Sequence, residues 1–530
     1  MTVVSDLLEI RRQKLQRLRE LGIDPYPTRF ERTHTSAEAR RAFEDHERAG
    51  TGEELAVRVA GRLMSFRDMG RSAFGHIQDG AGRLQIYFRL DRLGEEVYRQ
   101  VKELYDVGDH IGVEGLLFRT RTGEITVEAQ RVYMLAKSLY PLPEKWHGLR
   151  DVEQRYRQRY VDLIVNERAR EIFQTRTRIV SAVRAFLDQR GFLEVETPVL
   201  QPLYGGAFAR PFVTYYNALE QQFYLRISDE LYLKRLVVGG FERVYEIGKD
   251  FRNEGLSYKH NPEFTMLEAY MAYADYRDMM ELTEQLIAFV AERALGTHRI
   301  TYQGHEIDLT PPWQRLPLVD AVRRFAGIDV LQHDTLPALQ EEVRRTGLKV
   351  NAVAVPTWAK LVDEIVSEYV EPQLIQPTFL IDYPVELSPL AKRSPTQPRF
   401  VERFEPFVGG MELGNAFTEL NDPIDQRERF LEQARARAQG DEEAQVLDED
   451  FLHALEIGMP PTGGVGIGID RLTMLLTDTT SIREVILFPQ LRSVQQRGSG
   501  EREPALTGSV PPSPGAEGGE AARSGEPASS

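Results

Sequence analysis

Arg252, in the run RVYEIGKDFRNEG (243–255), and Arg471, in GVGIGIDRLTMLL (464–476), carry the strongest chemical signal in this chain. A guanidinium offers paired N–H donors in a planar fork, which suits phosphate and carboxylate oxygens. In the first run Glu246, Gly248, Asp250, Arg252 and Glu254 share one parity, while Tyr245, Ile247 and Phe251 share the other, so a strand would sort polar from apolar. After a loop at 255–262, EFTMLEAYMAY puts Phe264, Met266, Glu268 and Tyr270 on one alternating face. The two segments predict an antiparallel hairpin lining a pocket. There Arg252 is placed to grip a phosphate, Phe264 to stack on a base, and Glu268 with Tyr270 to meet a cation.

The second arginine follows glycines at 464, 466 and 468, which on a strand would bare one face to a flat ligand or, alternatively, pack tightly against a helix. Asp470 then opens a helix with Leu472, Leu475 and Leu476 inward, which sets Arg471 in the first turn beside the positive end of the helix dipole. This predicts an ATP site of an unusual kind. A Rossmann turn needs glycine where Ile469 stands, and a P-loop needs Ser or Thr after Gly248-Lys249, where Asp250 stands. In RFEPFVGGMELGNAFTEL (403–420), Asn415, Phe417 and Glu419 alternate on one face after Gly409-Gly410. Glu412 has the wrong parity for that face unless the strand is bulged near Gly414.

These residues need a scaffold. With 530 residues the chain is long enough for about three domains. Its 42% hydrophobic and 28% charged residues are those of a water-soluble globular protein. The net charge of −15 by itself argues against nucleic acid, yet Arg11, Arg12, Lys14, Arg17 and Arg19, followed by Arg58, Arg62, Arg67 and Arg71, concentrate positive charge early. A solvated helix face is the plainer reading of that run. The absence of cysteine excludes disulfides and thiolate zinc sites, and ten histidines show no metal spacing. No secretory signal or long apolar span is legible, so a cytoplasmic location without membrane contact is expected.

Residues 1–54 read as a basic helix, preceded by Ser5 and stopped by Gly22, with a lead-in through Pro25 and Pro27. Its apolar stripe is Leu8, Leu15, Leu18 and Leu21. Residues 55–134 turn to short strands with glycine-rich turns, interrupted by one helical stretch, which predicts a barrel of the OB type. Residues 135–165 read as a linker. In the segment 166–496, Asn166 is placed to cap a helix carrying Ile172, Phe173, Ile179, Val180, Val183, Phe186 and Leu187, closed by Gly191 and followed by a strand at 192–195. No chemistry is legible in 276–379, which reads as largely helical. Residues 497–530, mostly Gly, Pro, Ser, Ala and Glu, read as a disordered tail.

FRNEG, KHNPEFT, ELYLKRLVVGG, SPLAK, the glycine ladder with GIDR, and SIREVILFP together resemble the class II lysyl-tRNA synthetases over residues 7–492. The resemblance implies an α+β protein: an N-terminal OB-type barrel binding the anticodon, then an antiparallel-sheet catalytic domain flanked by helices, with the 166–198 segment at a homodimer interface. It implies ATP-dependent formation of lysyl-adenylate, then transfer to lysine tRNA. Arg252 and Arg471 become the catalytic arginines, with Arg252 on the α-phosphate and substrate carboxylate. Lys259, His260 and Asn261 join the ATP site; Phe264 and Arg471 sandwich adenine, Glu254 faces its edge, and Gly468 lies alongside. Lys259 stands where relatives often have arginine, which keeps the charge and loses the fork. Glu405 and Glu412 become the Mg²⁺ carboxylates, which suits a hard ion. Gly206 and Glu230 take the α-ammonium, Asn415 the carboxylate, and Glu268, Tyr270 and Glu419, with Phe417 nearby, the ε-ammonium.

On the barrel Phe74, His76, Gln85 and Glu124 are candidate anticodon contacts, with Phe74 and Gln85 favoured as base readers, and one of Phe74 and Tyr87 expected in the barrel core. Rival readings are an aspartate or asparagine synthetase, whose substrates would want basic residues at 268 and 419; a protein-modifying paralogue, which lacks the barrel; and a non-enzymatic OB module, which leaves the two arginines without purpose.

Overall fold

Apolar residues at every second position close residues 56–136 into a barrel. In the computed structural model, strands β1 (Ala56–Asp68), β2 (Ser72–Gln78), β3 (Arg83–Arg89), β4 (His110–Arg119) and β5 (Ile125–Ala136) run in the order β1-β2-β3-β5-β4, and β4 pairs back onto β1. Ala73, Ile77, Leu84, Ile86 and Phe88 point inward, each large side chain contributing about 1.5–3 kcal/mol by burial. The helical insertion resolves into Leu90–Leu93 and Glu95–Leu104. The structure describes residues 2–50, 53–143, 149, 151–255, 257–438 and 444–492. Met1–Pro489 pack as one unit and a second unit starts at Gln490; the expected tail at 497–530 lies outside the described residues.

The first helix runs Thr2–Glu20, so Ser5 lies within it rather than ahead of it. Leu18 is buried and Leu21 exposed, and Arg11 takes part of the expected stripe. Its guanidinium donates to the carbonyls of Val107, Ser138 and Tyr140, while Lys14 pairs with Asp106. Two members of the basic run thus fasten the helix to the barrel.

The larger sheet is assembled from β6 (Leu193–Glu194), β10 (Arg243–Phe251), β11 (Glu263–Ala272), β14 (Gln314–Pro317), β15 (Thr378–Pro384), β16 (Phe400–Val408), β17 (Met411–Glu412), β18 (Gly414–Thr418) and β19 (Thr462–Gly468). Between β6 and β10 lie β7 (Leu200–Gln201), β8 (Val213–Tyr216) and β9 (Gln221–Leu225), a separate small sheet; β12 (Arg299–Tyr302) and β13 (His305–Asp308) form a hairpin. The nine-stranded order is β14-β15-β16-β18-β19-β11-β10-β6, with β17 beside β16; pairing is antiparallel except at the two ends. The predicted strand at 192–195 is only the two residues of β6, and the stretch read as largely helical contains three strands and the start of β15.

One face of this sheet is covered by the helices Glu167–Asp188 and Tyr276–Leu295. Leu267, Ala269, Ala416, Val465 and Ile467 share their core with Ile172, Ile179, Val183, Phe186 and Met279. Asn166 precedes the first helix without capping it, its amide donating to Asp162 instead. Asp275 and Asp278 form a capping box on the second. Within the predicted linker, Val152–Arg157 and Arg159–Val165 are helices, and buried Arg159 donates to the carbonyls of Arg483, Ile486 and Leu487. Because strand side chains alternate, the residues between those packed on the helices face the other way.

Candidate active site

That opposite face forms the floor of a cavity of about 370 Å³, and every residue predicted for the ATP and lysine sites lines it. From β11 come Phe264, Met266, Glu268 and Tyr270; from β18 and just beyond it Asn415, Phe417 and Glu419; from β19 Gly464, Gly466 and Gly468. β10 pairs with β11 over its whole length, as the hairpin reading required. A Cβ on Gly464 would lie 2.0 Å from Glu419 Oε1, whereas at 466 and 468 it would meet only ordinary contacts, leaving those positions open to a ligand. Helix packing is the task of the neighbouring Gly463, whose Cβ would strike Met279.

The polar parity of β10 is used differently from the expectation. The strand ends at Phe251, so Arg252 and Glu254 belong to the loop rather than to the strand face. Arg252 N donates to Pro262 O, and its guanidinium lies 5.0 Å from the Phe264 ring. Glu246 and Asp250 do not reach the cavity. They turn to Arg226, fully buried, whose Nη1 is 2.6 Å from Glu246 Oε1 and 2.8 Å from Asp229 Oδ1, and whose Nε is 3.3 Å from Asp250 Oδ1. Burial, then repulsion by neighbouring carboxylates, led by Asp250 for Asp229 and by Glu268 for Asp250, raises Asp229 to about 10 and Asp250 to about 7.

At one end of the cavity Glu268 Oε1 accepts from Ser228 Oγ (2.7 Å) and Asp229 N, while Oε2 accepts from Tyr270 OH (3.0 Å). Glu230 and Glu419 both contact the ammonium of Lys234. Burial pushes Glu230 up to about 7 and Glu419 above the usual carboxylate range, against the pull of Lys234. Gly206, with φ +88°, brings backbone to the rim, where a Cβ would crowd Ser228. Asn415 Oδ1 accepts from Arg403 Nε at 2.8 Å.

At the other end Arg471 Nη1 is 2.8 Å from Glu412 Oε2, and Arg471 Nη2 is 3.2 Å from His260 Nε2. The helix here is Ile469–Leu476, capped at Gly468, which keeps Arg471 in its first turn; buried Asp470 pairs with Arg176 and accepts from Thr265 N. Glu412 escapes its wrong parity because it sits on β17, paired opposite Phe407, and the strand breaks at Leu413 before β18 begins. Glu405 Oε1 accepts from Arg403 Nη2 (2.5 Å) and Oε2 from Tyr383 OH (2.7 Å). Burial raises Glu405 to about 7; for Glu412 burial is outweighed by the Arg471 charge and hydrogen bond, and its carboxyl falls below the usual range. Burial, then the Arg471 charge, lowers His260, which favours the neutral imidazole. Lys259 lines the same end.

Sequence reading missed Arg226, Ser228, Lys234, Tyr383 and Arg403, and also Asp363 and Glu371. The last two lie in 276–379, yet their charges reach Glu412, and burial raises both. Nothing local in their helices marks them.

On the barrel, Phe74 and Tyr87 pair across β2 and β3 with stacked rings 4.3 Å apart, and His76 faces Gln85. Both rings are half-buried on the outside, so neither belongs to the core, contrary to the expectation for one of them. Glu124 accepts from His76 Nε2 (2.9 Å) and Gln85 Nε2 (2.7 Å), and Gln85 Oε1 accepts from Thr126. Three of the four predicted residues, His76, Gln85 and Glu124, form one hydrogen-bonded patch beside the ring pair that contains the fourth, Phe74.

A closed barrel preceding an antiparallel sheet, with arginines, carboxylates and glycine ladder on its open face, defines a class II aminoacyl-tRNA synthetase. Residues 151–492 match the family described as tRNA synthetases class II (D, K and N), and 57–135 match the OB-fold nucleic acid binding domain. The chain is similar to lysine–tRNA ligases from Pelotomaculum thermopropionicum (56% identity, covering 92% of this chain and 95% of the relative), Moorella thermoacetica (55%, 93% and 99%) and Roseiflexus sp. (57%, 92% and 99%). It belongs to the class II lysine–tRNA ligase family.

Proposed function

We propose that this chain activates L-lysine with ATP to lysyl-adenylate and transfers the lysyl group to the 3′ end of lysine tRNA, releasing diphosphate and AMP. The observation that carries the reading is the buried end of the cavity, where Glu268, Glu419 and Tyr270 converge at the width kept free by Gly464. A cationic side chain answers that charge; an aspartate side chain would be repelled, and asparagine would leave carboxylates unmatched.

The α-carboxylate, with a pKa of about 3.5, is already ionised and needs no general base to attack the α-phosphorus. Catalysis is then positioning and charge stabilisation. Arg252 holds the carboxylate and α-phosphate together, Lys259 and His260 meet the outer phosphates, Asn261 and Glu254 border the nucleotide, and adenine lies between Phe264 and Arg471. Gly206 and Glu230 receive the α-ammonium, Asn415 with Phe417 orients the substrate, and Gly468 allows close approach. Glu405 and Glu412 supply hard oxygens at one place in the cavity, each with a lone pair beyond its present hydrogen bonds, and so fit Mg²⁺. That ion would neutralise phosphate charge when bound. Phe74, His76, Gln85 and Glu124 read the anticodon.

We assign the homodimer face to the 166–198 segment, where Leu193 is exposed, with the exposed apolar residues Leu200, Val213, Tyr215, Tyr216 and Leu219 that follow it in the chain. Among the described residues no helix is long and apolar enough to cross a membrane, and we place the enzyme in the cytoplasm. The test is charging of purified tRNA: lysine and ATP should yield lysyl-tRNA, and failure with lysine but success with aspartate or asparagine would overturn the reading.

A further inference from the structure

The helix Glu230–Val238 carries a lysine of its own into the pocket wall. Lys234 is fully buried one turn beyond Glu230, with Nζ 2.6 Å from Glu230 Oε1 and in contact with Glu419 Oε2. The rings of Phe417 and Phe451 lie 5.4 and 5.9 Å from it. A buried ammonium is costly unless paired, and its two partners here are carboxylates assigned above to the substrate's ammonium groups. Glu419 is thereby divided. Oε2 makes the ion pair with Lys234, while Oε1 is buried and faces Gly464.

The charges can be counted. Glu230, Glu268 and Glu419 line this end of the cavity; in the ionised state that a cationic ligand favours they carry three negative charges, and Lys234 offsets one of them, leaving −2. Substrate lysine brings two ammonium groups, its carboxylate being matched by Arg252, and the nearby Arg403 is already paired with Glu405. We propose that Lys234 is a positioning residue for lysine selection: a resident ammonium that balances the third carboxylate and turns Glu230 and Glu419 so that Glu419 Oε1 is left for the substrate. The inference rests on the lysine reading of the pocket. With a neutral residue at 234, one carboxylate would take up a proton or swing away, and an acceptor for the substrate would be lost.

The test compares Lys234→Met, Glu230→Gln and the double variant in lysine-dependent exchange of pyrophosphate into ATP, with thermal unfolding as the check on folding. Lys234→Met should raise the KM for lysine at least ~30-fold and leave the KM for ATP within ~2-fold. In the Glu230→Gln background, where one negative charge is already gone, the same substitution should cost less than ~5-fold, because the two residues act as a unit. Equal cost in both backgrounds, or equal change in the lysine and ATP KM, would overturn the proposal. If Lys234→Met does not fold, the charge-balanced double variant should; its failure too would assign Lys234 to packing. An unaltered enzyme without lysine-dependent exchange would sink the lysine reading itself, whereas normal exchange with an unchanged KM in Lys234→Met would sink this inference alone.

Discussion

Glu419 Oε1 and Gly464 stand so close across β18 and β19 that a Cβ at 464 would lie 2.0 Å from the carboxylate oxygen and 2.5 Å from the Tyr270 ring. A methyl group there cannot be absorbed by a flexible side-chain end, because Glu419 and Tyr270 are both buried. Gly464→Ala should therefore push Glu419 from its position, raise the KM for lysine at least ~10-fold with the KM for ATP nearly unchanged, and cost about 1–3 kcal/mol of stability. Steady-state kinetics in both substrates decide it; parallel rises in the two would place the damage elsewhere.

Arg252 sits at the junction of the cavity's two ends, beyond the end of β10 and beside Phe264. Its guanidinium is the group proposed to hold the attacking carboxylate against the α-phosphate, so its loss removes stabilisation specific to the transition state. Arg252→Ala should reduce pyrophosphate exchange by at least ~100-fold, on the scale of one lost oxyanion donor, with an unaltered unfolding midpoint. A folded variant retaining near-normal exchange would contradict the role.

Much of this site was readable from alternation. Phe264, Glu268, Tyr270, Asn415, Phe417, Glu419 and the three glycines were grouped correctly because a strand repeats every two residues and a pocket needs one face. Glu246 and Asp250 shared the expected parity with Arg252 but went to Arg226, because that guanidinium arrives from the loop after β9 and parity does not say what covers a face. Asn166 had the right residue type for a cap and found Asp162 instead. Asp363 and Glu371 were invisible, since only tertiary folding brings their helices to Glu412.

Arg226 offers a prediction about stability. It is the cation against which Asp229, Glu246 and Asp250 are buried, and removing one partner of a buried pair costs about 3–5 kcal/mol. Arg226→Met should lower stability by that amount at pH 7.5. Asp229 and Asp250 have folded pKa values raised by burial, so between the unfolded value near 4 and those raised values the folded protein holds more protons, and stability falls as pH rises. Losing Arg226 removes a charge that lowers Asp250, so the variant's deficit should be largest at pH 7.5 and shrink toward pH 5, where Asp250 is protonated with or without the arginine. Urea titrations at the two pH values measure it, and a deficit independent of pH would contradict the burial of these charges.

Glu230 gives a pH dependence of binding. Burial raises its carboxyl to about 7, and a cationic ligand favours the ionised form, so lysine binding should release a proton near and below that pH. Affinity for lysine should rise from pH 6 to pH 8. Calorimetry in buffers of different ionisation enthalpy counts the proton directly, and proton uptake would reverse the assignment.

The central claim is that a class II adenylation site and a pocket for a dicationic amino acid share one cavity. Exchange of labelled pyrophosphate into ATP, with each of the twenty amino acids supplied separately and no tRNA, tests both at once. The account predicts exchange with lysine at least ~10²-fold above that with aspartate, asparagine or any apolar residue. Preferred exchange with another amino acid would contradict the pocket assignment, and absence of exchange with all twenty would contradict the adenylation site.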